Sequence, residues 1–408
     1  MPHTSPAAGG TGAVSGVVAD PHGFALHSPD GVHYRVDIDH GVLSPANPRL
    51  AGYLADRRVL AVTGPTVGAR YGEQLRAYLQ TWLAPGTWSV HVIPTGERHK
   101  TMASVEQVCA IAKERGLDRH GVMLSVGGGI TCDVVGFAAA VYARGVRHVK
   151  VNTTLVGQVD VGVGVKTGVN AYGAKNMLGT YHPPHGSIND PGFLTTLPER
   201  HIRCGLGEIV KMAIIKDARL FETLEEHPDI FRRPTPDVAG HDREDHVLRR
   251  AMELMLHELC PNLRELDLAR LVDFGHTFGP AIETGSDYRI AHGESVAIDM
   301  AVSSHVAVRL GLLDPAACDR IVGLIRALGL PVFDRRTCRP DLMRAAMRAA
   351  WSRRGRKLHL VVPDGIGSAV FVDDLGDVPD SVLDDALRAL GNGTRTRQAA
   401  PQTIGAGR

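Results

Sequence analysis

VMLSVGGGITCDVVGFAAAV, residues 122–141, is the stretch that decides the fold of this sequence. Its first part, Val122–Val126, is an apolar run whose length and composition predict a buried strand. Three glycines, Gly127–Gly129, come next, followed by an alanine-rich segment with helical spacing. Strand, glycine turn and helix is the arrangement that brings a helix N-terminus and bare backbone N–H groups up to a phosphate. An ordinary tight turn accounts for three glycines equally well, so the residues that follow must decide.

Single polar side chains are threaded through the glycines and small apolar residues after this turn. A solvated face carries its charges in blocks, whereas isolated polar groups in an apolar segment are typical of a site lining. The segment therefore predicts a binding site with the polar members Asp133, Arg144, Thr153, Thr154, Asp160, Lys166, Asn170, Lys175 and Asn176.

The composition excludes several classes of protein. The chain has 408 residues, of which 44% are hydrophobic, enough for a large core and two domains. Its formal net charge of +1 gives no overall basic field for nucleic acid, and no apolar run is long enough to span a membrane. The N-terminus lacks a signal-peptide pattern, and the six cysteines include no Cys-X-X-Cys pair. We therefore expect a cytoplasmic protein with reduced thiols and without nucleic-acid or membrane partners.

Predicted strands and helices alternate before residue 190, and helices dominate after it. The runs Arg57–Thr63, Trp88–Ile93 and His148–Asn152 predict strands beside Val122–Val126. Their alternation with helices indicates a parallel α/β sheet. The predicted organisation is a disordered start (1–15), an α/β domain (16–190), a helical domain (191–390) and a disordered tail (391–408).

The helical part carries a second group of polar residues. Glu208 lies in GEIVKMAIIKD, where Lys211 follows at i+3 and so shares its helix face. His276 in DFGHTF and His292 in AHGESVAIDM each stand beside a glycine at a predicted helix start. One glutamate and two histidines can form a divalent metal site with open positions for water or substrate. The spacing alone is a weak signal, because the chain has 20 histidines.

Several stretches resemble the sugar phosphate cyclases, the family that includes dehydroquinate synthase. They include GGGITCDVVGFAAAVYARGV, KNMLGTYHPP, GEIVKMAIIKD, DFGHTF and AHGESVAIDM, and the resemblance covers about residues 55–370 in the right order. It implies a Rossmann-like NAD-binding α/β domain, a mainly α-helical C-terminal domain, and a homodimer. It also implies a divalent metal between the domains, usually zinc, with cobalt as a second possibility.

The resemblance assigns roles to individual residues. The implied metal ligands are Glu208, His276 and His292. The implied NAD site is Glu97, Lys100, Gly127, Gly128, Gly129, Asp133, Thr153, Thr154, Asp160 and Lys175. The implied catalytic and sugar-phosphate residues are Arg144, Asp160, Lys166, Asn176, Lys211 and Asp273.

Two positions depart from the dehydroquinate synthases. Asp273 stands where those enzymes have an amide, and Pro280 where they have a histidine. An added anion is unsuited to a carboxylate-bearing substrate and suits one with hydroxyls there. The run PNLRELDLARLVDFGHTF, residues 261–278, resembles the branch of the family that cyclises sedoheptulose 7-phosphate. We therefore expect this small sugar phosphate as the substrate.

The resemblance implies a reaction in which NAD⁺ is oxidant and later reductant. A ring alcohol loses a hydride while the metal acts as Lewis acid, phosphate is eliminated, the hydride returns, and an intramolecular aldol step closes a carbocycle. Arg144, Lys166 and Asn176 would bind the phosphate, and Lys211 and Asp160 would position hydroxyls and relay protons. Three alternatives stay open: another cyclase of the family, a metal-dependent NAD polyol dehydrogenase, and a non-catalytic relative.

Overall fold

The computed structural model describes residues 15–231 and 241–398. The strands are β1 (Gly16–Asp20), β2 (Gly23–His27), β3 (His33–Ile38), β4 (Val59–Thr63), β5 (Trp88–Val92), β6 (Val122–Gly127), β7 (Arg147–Asn152), β8 (Lys166–Ala171), β9 (Ala174–Tyr181), β10 (Gly186–Asn189), β11 (Leu360–Gly365) and β12 (Ser368–Val372). The helices are α1 (Ala51–Leu54), α2 (Pro65–Trp82), α3 (Met102–Glu114), α4 (Gly129–Val141), α5 (Glu199–Lys216), α6 (Ala218–Glu226), α7 (His241–Leu259), α8 (Gly279–Gly285), α9 (His292–Arg309), α10 (Pro315–Ala327), α11 (Pro340–Arg353) and α12 (Asp380–Gln398).

One large sheet organises the first half of the chain. Its strand order is β1-β2-β3-β10-β7-β6-β4-β5, parallel from β3 onward and antiparallel between β1, β2 and β3. In register, Thr63 lies beside Val126, Gly127 beside Asn152, and Asn152 beside Asn189. The carboxyl ends of these central strands therefore meet at one edge, which is where open α/β sheets bind ligands.

Helices cover both faces of this sheet. Val59 and Ala61 of β4 lie in one apolar cluster with residues of α2, whereas Leu60 and Val62 lie in another with residues of α3 and α4. Successive residues of a strand face opposite sides, so a strand buried on both sides is mostly apolar, as β4 is from Val59 to Val62. The predicted Rossmann-like α/β fold with a mainly helical C-terminal part is confirmed.

Helices α5 and α9 approach each other closely through glycines. A Cβ on Gly207 of α5 would lie 2.7 Å from the carbonyl oxygen of Gly293, and a Cβ on Gly293 would lie 2.1 Å from that of Cys204. Only residues without a side chain allow this approach. It brings Glu208, which lies on α5, next to His292, where α9 begins.

The structure adds elements that the sequence did not predict. The β8–β9 hairpin and the short strand β10 follow Asn152, where glycine and polar residues hide any strand periodicity. Helix α12 continues to Gln398 and so includes residues 391–398 of the segment that we expected to be disordered. Residues 1–14 and 399–408 lie outside the described ranges, and the domain boundary near residue 190 stays a prediction. None of the described helices is long and apolar enough to cross a membrane.

We predict that Gly205→Ala destabilises the protein by about 1–3 kcal/mol, because it overpacks the core. A Cβ at Gly205 would lie 2.3 Å from Cβ of Leu155, which is buried. Gly323→Ala on α10 is the matched control, since its Cβ would meet nothing within 4 Å. The midpoint of urea unfolding should fall for the first variant and stay level or rise for the second. Equal midpoints in Gly205→Ala and the wild type would contradict this packing.

Candidate active site

The glycine turn lies where the carboxyl end of β6 meets the start of α4. Gly128 is the N-cap residue of α4, and the carbonyl of Gly127 accepts a 2.9 Å hydrogen bond from the N–H of Thr153. A Cβ on Gly128 would lie 2.8 Å from Cγ2 of Thr154, and one on Gly129 would lie 3.0 Å from Cγ2 of Val161. The turn is therefore packed on one side and presents bare backbone at a helix N-terminus, as a phosphate-binding turn requires.

A group of charged and amide side chains lies together beside this turn. Nζ of Lys100 lies 2.5 Å from Asp133 of α4 and donates a 2.6 Å hydrogen bond to the side chain of Asn176. Burial opposes the charge on Lys100, but the neighbouring Asp133 outweighs it, so the pKa of Lys100 is raised. Lys175 lies 3.3 Å from Glu97. The structure thus brings together residues from three separate segments that sequence reasoning assigned to the NAD site or the substrate.

Glu208, His276 and His292 form the one group of three or more potential metal ligands found among the described residues, and we call this group of side chains the metal cluster. One ligand atom from each lies within 4.8 Å of the others. Nε2 of His292 lies 3.1 Å from Oε1 of Glu208, whose other oxygen lies 2.7 Å from Nζ of Lys211. Glu208 and Lys211 are almost fully buried. A buried carboxylate that faces two imidazoles fits a divalent cation such as zinc, because N and O ligands at this separation match its coordination.

Glu283 was missed by the sequence analysis, and it supports this cluster. Its carboxylate lies 3.4 Å from Nδ1 of His292 and 2.5 Å from Nζ of Lys175. His292 thereby presents Nε2 to Glu208 while its other nitrogen faces a carboxylate, as is usual for imidazoles that bind metals. Burial opposes ionisation of Glu283, but His292 and Lys175 outweigh it and lower its pKa to about 2. The one local signal was its position in DFGHTFGPAIE, one helical turn after the His276 motif.

His276 has a different second partner. Its Nδ1 lies 3.0 Å from the carbonyl oxygen of Phe274. A backbone carbonyl accepts from an N–H, so this contact favours the tautomer in which Nε2 carries the free lone pair. Both imidazoles are thus oriented by the nitrogen that does not face the cluster.

Asp160 lies in a π-helical turn, Gly157–Val161, a conformation that is frequent at functional sites. Burial, together with the nearby Glu208, raises the pKa of Asp160, while Lys211 and His292 oppose this shift. Asp160 therefore lies in the electrostatic field of the metal cluster. The structure brings Asp160, Lys211 and the predicted ligands into one site.

Asp273 is paired with arginines that the sequence analysis did not identify. Both of its oxygens accept hydrogen bonds from Arg270, at 2.6 and 2.8 Å, and one accepts a 3.2 Å bond from Arg354. Burial opposes ionisation, yet the two arginines lower the pKa of Asp273. Glu265 forms ion pairs with both Arg270 and Lys166. The added anion at Asp273 is therefore neutralised, unlike the free anion that the sequence alone suggested.

Arg144 is the predicted site residue that a single chain does not bring to the others. It lies just beyond α4, and this helix starts at the glycine turn and has 13 residues. At 1.5 Å per residue its two ends lie about 20 Å apart. Arg144 is exposed at the end remote from Gly129.

We predict that Glu283→Gln weakens zinc binding about 10- to 100-fold, because His292 loses its anionic partner. Competition with a chromogenic chelator measures the affinity, and circular dichroism checks the fold. Glu253→Gln is the matched control, since Glu253 pairs with Arg250 on α7. Wild-type zinc affinity in Glu283→Gln would show that Glu283 does not support the cluster.

Comparisons with known proteins agree with this geometry. The N-terminal family model of 3-dehydroquinate synthase matches residues 90–204, and the C-terminal model matches residues 205–349. A 2-epi-5-epi-valiolone synthase of Streptomyces glaucescens is 63% identical over 383 residues, which cover 94% of this chain and 98% of the relative. A 3-dehydroquinate synthase of Halorhodospira halophila is 37% identical over 373 residues, which cover 90% of this chain and 97% of that enzyme.

A solved structure shares the fold over most of the chain. It is ValA, a 2-epi-5-epi-valiolone synthase from Streptomyces hygroscopicus subsp. jinggangensis 5008 with NAD⁺ and Zn²⁺ bound. The TM-score is 0.82 at 43% sequence identity, covering 89% of this chain and 98% of ValA. The chain therefore belongs to the 3-dehydroquinate synthase family of sugar phosphate cyclases, as the matched family models, the sequence identity and the common fold show.

Proposed function

We propose that this enzyme converts sedoheptulose 7-phosphate to the C7 cyclitol 2-epi-5-epi-valiolone and phosphate, with NAD and a divalent metal. The observation that best supports this proposal is the contact of Glu283 with both His292 and Lys175. This contact links the metal cluster to the residues beside the glycine turn. The 63% identity to a 2-epi-5-epi-valiolone synthase supports this product over 3-dehydroquinate, since the 3-dehydroquinate synthase compared above is 37% identical.

The residues present fit both cofactors. Glu208, His276 and His292 would hold the dication, zinc or cobalt, and the Gly127–Gly129 turn would receive the NAD pyrophosphate. When bound, the cofactors supply a reversible hydride acceptor and a Lewis acid. The remaining NAD contacts in this proposal are Glu97, Lys100, Asp133, Thr153, Thr154, Asp160 and Lys175.

The residues around Asp160 suit a polyhydroxylated phosphate ester. Lys166 and Asn176 would donate charge-assisted hydrogen bonds to the phosphate, and Lys211 would donate to a hydroxyl beside the metal cluster. Asp160, with its raised pKa, is the group best suited to accept and return a proton. Arg144 would join this set only if the second copy in the proposed homodimer placed it there.

Asp273 supports the choice of substrate. A carboxylate has about four acceptor positions, and Arg270 and Arg354 occupy three of those on Asp273. The remaining position can accept a hydrogen bond from a substrate hydroxyl. The proposal also includes a cytoplasmic location and no nucleic-acid or membrane partner.

One assay distinguishes this proposal from its alternatives. The metal-loaded protein is incubated with catalytic NAD⁺ and one of three substrates. The first is sedoheptulose 7-phosphate, the second is the seven-carbon precursor of dehydroquinate, and the third is glycerol. We expect phosphate release from the first substrate alone, with 2-epi-5-epi-valiolone identified by NMR. A different cyclitol would assign the chain to another cyclase, net NADH formation from glycerol to a polyol dehydrogenase, and no turnover to a non-catalytic relative.

We predict that His276→Ala lowers phosphate release from sedoheptulose 7-phosphate by at least 1,000-fold, because removing a ligand removes the Lewis acid. His305→Ala is the matched control, since His305 lies on α9 well beyond His292 and is not part of the cluster. Phosphate release and bound metal are measured in parallel. Full activity in His276→Ala would refute the metal assignment.

A further inference from the structure

Lys150 is a fully buried cation that none of the roles above uses. It lies on β7, and its Nζ donates hydrogen bonds of 2.8 Å to the carbonyl of Val161 and 2.9 Å to that of Gly164. Among the described residues, no carboxylate lies within ion-pairing distance of this Nζ. Burying a charge without a counter-ion is costly, so the two carbonyl contacts are the evident reason for a lysine at this position.

The segment that Lys150 contacts is irregular backbone. The π-helical turn Gly157–Val161 ends there, and β8 does not begin until Lys166. Buried carbonyls that no helix or strand satisfies need other donors. Lys150 supplies two, and the hydroxyl of Tyr34 on β3 supplies a third, at 2.6 Å to the carbonyl of Val163. Two side chains of the large sheet, Lys150 and Tyr34, therefore fix residues 161–164 through hydrogen bonds to their carbonyl groups.

This segment joins the parts of the proposed site. Asp160 immediately precedes it, and Lys166 follows it at the start of β8. The side chain of Val161 lies against the glycine turn, where a Cβ on Gly129 would come within 3.0 Å of it. A shift of residues 161–164 would therefore displace both Asp160 and Lys166.

We propose that Lys150 is a positioning residue for the cyclase reaction, whose ammonium anchors residues 161–164 and so fixes Asp160 and Lys166 relative to the metal cluster. The inference rests on the proposed function. It predicts that loss of the ammonium impairs turnover more than it impairs folding or metal binding, because the ligands Glu208, His276 and His292 lie on other segments.

The test compares two variants on the same strand. Lys150→Met keeps a long apolar side chain and removes the N–H donors, whereas Val149→Ala weakens the opposite face of β7, in the cluster with Val59 and Leu124. We expect kcat with sedoheptulose 7-phosphate to fall at least tenfold in Lys150→Met, with zinc affinity within twofold of wild type, and kcat to stay within threefold in Val149→Ala. Lys150→Arg should recover part of the loss, because it restores the donors.

Hydrogen exchange provides a readout that does not depend on the substrate. Amides of residues 161–166 should exchange at least tenfold faster in Lys150→Met and unchanged in Val149→Ala. If the wild type does not turn over sedoheptulose 7-phosphate, the proposed function fails while this comparison still decides whether Lys150 anchors the segment.

Three results would overturn the inference. They are wild-type kcat in Lys150→Met, an equal loss of kcat in Val149→Ala, and unchanged exchange at residues 161–166. If Lys150→Met does not fold, Tyr34→Phe removes one donor from the same segment. We then expect faster exchange there and a kcat at least threefold lower, and wild-type values of both would refute the anchoring role.

Discussion

The contact of the Glu283 carboxylate with both His292 and Lys175 is the interaction on which the arrangement of this site depends. The lysine belongs to the β8–β9 hairpin, near the glycine turn, and the histidine begins helix α9. One buried anion is thus shared by the part of the chain suited to a nucleotide and the part suited to a dication. Charged hydrogen bonds of this kind are strong and directional, so they fix the distance between the two halves of the site.

Most of the fold could be predicted from local sequence. Val122–Val126 and its neighbouring apolar runs show the strand lengths expected of a buried parallel sheet, and the glycines after them have the backbone freedom that a phosphate turn requires. The helical C-terminal part and the family were inferred from the sequence motifs, and the matched family models confirm the family. Strand β10 was missed because its four residues contain one large apolar side chain, Ile188, which gives no periodic signal.

Glu283 and Arg354 were missed for the same physical reason, the long separation in sequence from their partners. Arg354 reaches Asp273 from 81 positions away, and Lys175 reaches Glu283 from 108 positions away. Such pairs leave no mark on periodicity or spacing, since each partner alone resembles an ordinary surface charge. Arg144 shows the converse, because a motif assigned it to a site from which helix α4 separates it within one chain. Motifs thus identified residue types, and only the fold identified partners.

The paired arginines around Asp273 limit which residues this position can accept. An acidic residue at this position is compatible with burial only while Arg270 and Arg354 neutralise it, so the three side chains form an epistatic unit. Exchanging the acid for an amide by itself would remove a carboxylate partner from both arginines, and acquiring the acid before the arginines would bury an unpaired anion. A change of charge at position 273 is therefore tolerated best when it is accompanied by changes at Arg270 and Arg354.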